Sequence, residues 1–469
     1  MIQFLIWINI KWFFKINMNS MIQDESPPSQ IQPEKDVSRD ETTATSEILR
    51  ISQHITEIIR QLRKGGATFV DPLPPLDEPV NMLGPHQSIG PWPAYYFPSI
   101  CPNCAEGSLC SVCGYTTLDL HIPRKAIVDS AISQFDSIMD NYEENVIDGQ
   151  FGEIYAPGID RPVGLTLSPT GSWFGSELPR KVRIDMLREL VRKMREWPDL
   201  ELVLYIEAHA RDVVKKIEAG SFDVGLGKEE MDLLKELHTN VILGFESRDD
   251  LVRNGLYDKD LEISDFEKAV SELQKKGLGV GAFVFGGLPP MTDTEVMNDV
   301  ISTLVYLSEK GVFPVLMLAN IQPNTIPDLL RENGKLKMLE PFTAMRIIAE
   351  MLKISMSSKN QNFLIPDPVG GPPDPEFNIF LNRTDTVSSD VTNQLLLEKI
   401  RDLRVSRDGE AFLKWFEILQ QGEEYRKYLE LMQQQEISKI TLTERINSML
   451  EYIESPGIIE RYKAREKLP

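Results

Sequence analysis

Cys101, Cys104, Cys110 and Cys113 are the chain's four cysteines, and all lie within the stretch CPNCAEGSLCSVCGYT. A disulfide framework spreads its cysteines so as to close loops. Packing them this tightly points instead to metal or redox chemistry in a reducing compartment. Thiolates are soft ligands that select zinc, copper(I) or iron–sulfur clusters. Two CxxC pairs form the ligand set of a structural zinc ribbon. Zinc pairs usually stand on two separate knuckles, farther apart than the five residues between Cys104 and Cys110. From the residue types alone, zinc and an iron–sulfur cluster are served equally well.

Other chemistry-bearing residues stand at the ends of apolar runs. Glu207 stands next to last in LELVLYIEA and Glu246 closes NVILGFE, followed by Ser247. A carboxylate there is costly unless it meets a partner or opens onto a cavity. Each is therefore a candidate catalytic group, or else half of a salt bridge, for which Arg211 is the obvious partner of Glu207. Gly171 and Ser172 form a tight SPTGS turn that suits either a ligand cradle or an ordinary strand-to-helix turn. Gly286 and Gly287 end GVGAFVFGG, where a ligand could approach closely or the strand could relax into Pro289-Pro290. The five histidines show no mutual ligand spacing, and of them only His209 follows one of these strands. No Ser/His/Asp arrangement, phosphate loop or dinucleotide fingerprint is present.

The elements that must position these groups alternate regularly. Short, near-continuously apolar runs at 92–100, 163–167, 200–208, 240–246, 279–287 and 312–321 read as strands, with amphipathic helices between them. Strands without polar alternation are buried on both faces, as in a parallel sheet covered by helices. The pattern predicts an α/β fold, a partial or full βα barrel; a doubly wound open sheet shares it locally. In a barrel the active site lies at the carboxyl ends of the strands, which is where the cysteines and both glutamates fall.

Outside this core, residues 1–45 read as disordered or as an upstream mis-assigned start, with Met18 or Met21 as the true beginning. The apolar opening MIQFLIWINIKWFFKIN is interrupted by Lys11 and Lys15, too short to span a bilayer and lacking a signal-peptide cleavage site. An interfacial helix is the lesser alternative. Residues 46–90 are read as a helix capped by Ser46 and ended by Gly65-Gly66, then a proline-rich connector. The barrel is assigned to 91–370 and a charged helical region to 371–469. With 42% hydrophobic residues the chain can bury a substantial core, and without another long apolar run it is expected to be cytoplasmic, with no membrane partner. A net charge of −21 disfavours nucleic acid, whose affinity draws on lysine and arginine against phosphates.

SVCGYT after a spaced upstream cysteine resembles the cluster loop of the radical S-adenosylmethionine (SAM) superfamily. The nearest branch is that of the elongator catalytic subunit and the archaeosine-forming radical SAM lyase. LTLSPTGSWFGSELP, IEAHARD, ILGFES, VFGGLPPMTDTE and IQPNTIPDLL resemble that branch's successive strand-end segments, over about residues 92–350. The resemblance implies a [4Fe–4S] cluster held by three cysteines, with the fourth iron taking the amino and carboxylate groups of SAM. SAM would then be cleaved reductively to a 5′-deoxyadenosyl radical that takes hydrogen from a substrate. Cys110 and Cys113 match the closing CxxC, and either Cys101 or Cys104 completes the set. The branch's longer first gap favours Cys101. Val112 occupies the position beside the adenine that is often aromatic in the family.

By the same resemblance Gly171, Ser172, Glu246, Ser247, Gly286 and Gly287 would bind SAM, and Glu207 and Glu246 would serve catalysis. A reductant such as ferredoxin or flavodoxin is implied. The substrate, an RNA base or a small molecule, is open. The competing expectation is a βα protein with one structural zinc on all four cysteines and no radical chemistry.

Overall fold

The computed structural model describes residues 41–63, 82–83, 94–97, 124–143, 163–169, 171–176, 178–197, 202–318, 321, 325–357, 363–364, 386–437 and 440–465. Residues Thr45–Pro469 belong to one compact unit and Met1–Ala44 to another.

The centre is a seven-stranded sheet: β1 (Met82–Leu83), β2 (Ala94–Phe97), β3 (Val163–Pro169), β4 (Leu202–Ala208), β5 (Asn240–Glu246), β6 (Gly279–Gly286) and β7 (Phe313–Leu318). The strands lie side by side in chain order. β1 is antiparallel to β2, and β2 through β7 are parallel. Parallel neighbours joined in sequence need right-handed crossovers, so all the connecting helices fall on one face. A doubly wound sheet would reverse its order at a switch point, and this one never does. The fold is therefore a βα barrel, and a partial one. Among the described residues β7 does not return to β1; Val315 instead makes a parallel bridge to Leu364.

Burial follows from that one-sided arrangement. In β4, Leu202, Leu204, Ile206 and Ala208 are buried, while Val203, Tyr205 and Glu207 on the opposite face are half-buried. The first set joins the main core with α3 (Arg180–Glu196), α4 (Ala210–Glu218), α6 (Ile263–Lys275) and α7 (Asp293–Glu309). Phe245 of β5 stacks on Phe266 of α6 with ring centroids 4.1 Å apart. Burying an aromatic side chain of this size contributes roughly 1.5–3 kcal/mol. On the concave face Ile242, Phe313, Val315 and Leu364 make a smaller cluster with Tyr205 and Phe283. The connecting helices are amphipathic as expected; α2 (Arg124–Asp140) follows β2, and α5 (Gly225–Glu236) doubles the connection after β4.

Three differences from the sequence reading stand out. The first helix, α1 (Glu41–Arg63), begins upstream of Ser46, which lies inside it and is not its cap. Second, a six-residue π-helical turn (Leu251–Leu256) and α8 (Ile326–Glu332) follow β5 and β7 where strand-end loops were expected. Third, the carboxyl-terminal helices serve two cores. α10 (Asp390–Ser406), α11 (Gly409–Leu419) and α12 (Glu423–Ile437) pack through Ile400, Phe412 and Tyr428 onto α9 (Pro341–Ser357). By contrast α13 (Leu442–Ile453) and α14 (Ile458–Arg465) join Ile51, Ile55, Ile58 and Ile59 of α1 in a second core with the π-helical turn, α8 and Leu288. That second core sits against loops that leave the carboxyl ends of β5, β6 and β7.

Candidate functional site at the carboxyl ends of the strands

Six parallel strands bring their carboxyl ends to one edge, so residues far apart in sequence meet there. Cys101 to Cys113 and Val112 follow β2, which ends at Phe97, and lie outside the described residues.

The turn after β3 is hydrogen-bonded onto the end of β4. The Glu207 amide donates to Ser168 Oγ (3.0 Å), the His209 amide donates to Ser172 Oγ (3.0 Å), and the Trp173 amide donates to the Glu207 carbonyl (2.8 Å). Ser172 thus helps to hold His209, and half-buried Gly171 opens the turn that carries it. His209 is the amino-terminal cap of α4, its Nδ1 accepting from the Arg211 amide at 3.3 Å. The Arg211 guanidinium forms an ion pair with Asp260.

β5 ends in a bulge between Gly244 and Glu246, and Glu246 has φ +68. Its carboxylate accepts from Lys259 Nζ at 2.7 Å, both side chains being 13% exposed. Lys259 lies across β5 because Gly244 leaves the room; a Cβ there would stand 2.5 Å from Lys259 Nζ. Ser247 is buried and donates to Asp299 at 2.5 Å. Burial pushes the Asp299 carboxyl up to about 7, against the lowering effect of that hydrogen bond. Arg253, also buried, donates to the carbonyls of Ser247 (3.1 Å), Arg248 (3.0 Å) and Leu261 (2.8 Å), which closes the loop on itself.

The Asp258-Lys259-Asp260 segment links three elements. Asp258 accepts hydrogen bonds from Ser52 and Thr56 of α1, Lys259 reaches Glu246 of β5, and Asp260 pairs with Arg211 of α4. Asp258 (φ +54) and Asp260 (φ +48) are both left-handed, a backbone form that aspartate tolerates better than most residues.

At β6, Gly286 is buried with Leu318 packed over it, and Gly287 has φ +99. A Cβ on Gly287 would lie 3.3 Å from Val296, so a side chain there would be strained by the backbone conformation and would also crowd that valine. The adjoining apolar hollow, lined by Phe285, Gly287, Leu288, Ile321 and Leu339, measures about 30 Å³. That is room for a few waters and not for a ligand the size of SAM.

The structure therefore gathers Gly171, Ser172, Glu207, Glu246 and Ser247 along β3 to β5, with Gly286 and Gly287 at β6. The hydroxyls of Ser172 and Ser247 hold neighbouring loops. Lys259, Asp258, Asp260 and Asp299 went unnoticed in the sequence. The acid–base–acid run at 258–260 was the visible signal, but nothing local shows which strand end each residue reaches. The chemistry of the site fits an amino-acid-bearing cofactor such as SAM, with carboxylates, a lysine and a buried imidazole on one strand edge and glycines at the next. Among the described residues no three histidine, cysteine or acidic side chains cluster as metal ligands, and no helix is long and apolar enough to cross a membrane.

No family model matches the chain, and no curated protein matches it. Among solved structures it is similar to the radical SAM methyltransferase TsrM from Kitasatospora setae with cobalamin and a [4Fe–4S] cluster bound. The identity is 16% and the TM-score 0.27, over 48% of this chain and 35% of that one. The same enzyme with tryptophan substrate and a SAM analogue matches at 15% identity and TM-score 0.27, over 49% and 38%. The match thus spans little more than a third of those chains, and the fold assignment stands on the strand order itself.

Proposed function

We propose that the chain is a radical SAM enzyme. One observation supports the reading: in sequence the four cysteines come directly after β2, the first parallel strand of a sequentially ordered partial barrel, whose later strands carry Glu207, Glu246 and Gly286 at their carboxyl ends. Cys110, Cys113 and Cys101 (or Cys104 in its place) would hold a [4Fe–4S] cluster, since soft thiolates suit it and a cluster with one open iron needs only three. The cluster with SAM supplies one-electron cleavage of the cofactor to a 5′-deoxyadenosyl radical. The protein's own residues fix the geometry around that chemistry. Ser168 and Ser172 hold the β4 end, Lys259 orients Glu246, and Gly286 and Gly287 let Leu318 and Val296 pack closely at the end of β6.

The finer assignments belong to the same proposal. They are the branch of the elongator subunit and archaeosine lyase, a ferredoxin- or flavodoxin-type reductant, a cytoplasmic location, and an RNA base or small molecule as substrate. The net charge of −21 supports the small molecule over RNA.

A second reading, one structural zinc on all four cysteines, is favoured by their arrangement in two CxxC pairs. Anaerobic reconstitution separates the two. The radical SAM reading expects brown protein that absorbs in the visible and forms 5′-deoxyadenosine from SAM with dithionite, with both properties lost in Cys110→Ala. Colourless protein carrying one zinc per chain, altered by Cys110→Ala only in stability, overturns it.

A further inference from the structure

The two ends of the chain build a helical unit with a core of its own. Ile55 and Ile59 of α1 share that core with Ile446 and Leu450 of α13 and Tyr462 of α14. The main core draws none of its described residues from these three helices, although α12, directly before α13, gives it Tyr425, Tyr428 and Met432. Ile437 ends α12 and Ile440 precedes α13; they are 72% and 58% exposed, so neither is held in a core where the chain passes from one to the other. On the solvent side, Arg50 donates to Asn447 at 2.6 Å and His54 hydrogen-bonds Glu454, which ties α1 directly to α13.

Polar contacts fasten this unit to three successive strand-end segments of the barrel. Ser52 and Thr56 of α1 donate to Asp258, between β5 and α6. Arg445 of α13 donates to the Pro290 carbonyl at 3.1 Å and pairs with Glu295 in the first turn of α7, after β6. Tyr462 of α14 donates to Asp328 in the first turn of α8, after β7. Every fastening joins a donor on the terminal helices to a carboxylate on the barrel. The first also reaches the strand end itself, because Lys259, next to Asp258, holds the Glu246 carboxylate at 2.7 Å.

We propose that α1, α13 and α14 form a lid over the β5–β7 side of the barrel mouth, which undocks and closes as one body. Undocking draws Ser52 and Thr56 off Asp258, and the 258–260 segment then releases Glu246 into the open mouth. Closing restores the ion pair and covers the strand ends. Folded chains open locally in units of this kind, and the separate core sets the boundary here between α12 and α13. The inference rests on the barrel geometry and on no cofactor.

Two substitutions loosen the lid away from Lys259. Arg445→Gln removes the ion pair at α7, and Tyr462→Phe removes the contact at α8. Full-length protein is followed by hydrogen exchange and by acetylation with N-hydroxysuccinimide acetate, with the exposed Lys268 of α6 as the internal reference for Lys259. Loss of one hydrogen bond to a charged group should raise the open population about tenfold. Each variant should therefore exchange the amides of α1, α13 and α14 together about tenfold faster, and acetylate Lys259 faster by the same factor. Lys268 and the amides of α10 to α12 should match wild type.

Faster exchange confined to the helix that lost its contact overturns the inference, because the three helices then move separately. Equal acceleration in α10 to α12 overturns it too, since the whole chain is then unfolding. So do exchange rates unchanged in both variants, and a loosened lid with Lys259 acetylated no faster. None of these readouts involves an iron–sulfur cluster or SAM, so the radical SAM reading stands or falls separately.

Discussion

Lys259 Nζ lies 2.7 Å from the Glu246 carboxylate because Gly244, two residues earlier on the same strand, has no side chain. The pair is 13% exposed on each side, so removing one partner strands a mostly buried charge. Lys259→Met should therefore destabilise the protein by about 2 kcal/mol, and adding Glu246→Gln should recover about half of that. Gly244→Ala should cost about 1 kcal/mol alone and almost nothing in the Lys259→Met background. Urea denaturation of the four proteins measures the coupling; strictly additive losses would show that Gly244 does not make room for Lys259.

The helix α1 reaches the site through Asp258. Ser52 and Thr56 both donate to its carboxylate, which is 1% exposed. The Ser52→Ala/Thr56→Ala double variant should lose about 2–3 kcal/mol. It should also exchange the Lys259 amide, which donates to the Arg253 carbonyl at 3.1 Å, faster than wild type. Hydrogen exchange that leaves residues 257–260 unchanged would mean that α1 does not hold this segment.

Asp299 predicts a pH dependence with a definite sign. Its folded pKa of about 7 is above the ordinary carboxylate value, so between about pH 4 and 7 the folded state holds a proton that the unfolded state has released. Stability should fall across that window by on the order of 4 kcal/mol and level off above it. Asp299→Asn can still accept from Ser247 and should remove the slope, gaining most over wild type near pH 8. Unfolding free energies at four pH values are sufficient to check this.

His209 acts with the opposite sign. Its folded pKa is lowered well below 6.5, mainly by burial, so the unfolded state takes up a proton first as pH falls. The stability it contributes is complete above pH 6.5 and is lost below it. His209→Asn should flatten that acid limb without changing stability near pH 8.

The four cysteines make distinguishable predictions through single alanine variants. Under the radical SAM reading, Cys110→Ala and Cys113→Ala abolish iron binding, and one of Cys101→Ala and Cys104→Ala does the same while the other retains the cluster. Cys101 is the expected ligand. Iron content and the electron paramagnetic resonance signal of the reduced protein are the readouts; equal loss in all four variants points to a four-thiolate site.

Local pattern was enough to recover the six parallel strands and most of the connecting helices, because a parallel strand buried on both faces and an amphipathic helix each carry their own periodicity; the two-residue antiparallel β1 fell in the stretch read as a proline-rich connector. The 240–246 strand matches to the residue, and the others differ at their ends, where hydrogen bonding rather than hydropathy decides. Strand order was not local. Partial barrel and doubly wound sheet share the same runs, and only the β1-to-β7 sequence of neighbours separates them.

The same division applies to the site. Glu207, Glu246, Gly286 and Gly287 were visible from sequence because a charge or a pair of glycines at the end of an apolar run is anomalous by itself. Lys259, Asp258 and Asp299 are ordinary surface-type residues in ordinary helix or loop sequence. They matter through partners found 13, 202 and 52 residues away, at Glu246, Thr56 and Ser247. The sequence alone determined the run of four cysteines, the βα alternation and which residues stand near the strand ends. Tertiary structure decided which side chains meet at those ends, because a contact between distant residues depends on how the sheet and its crossovers bring the chain together.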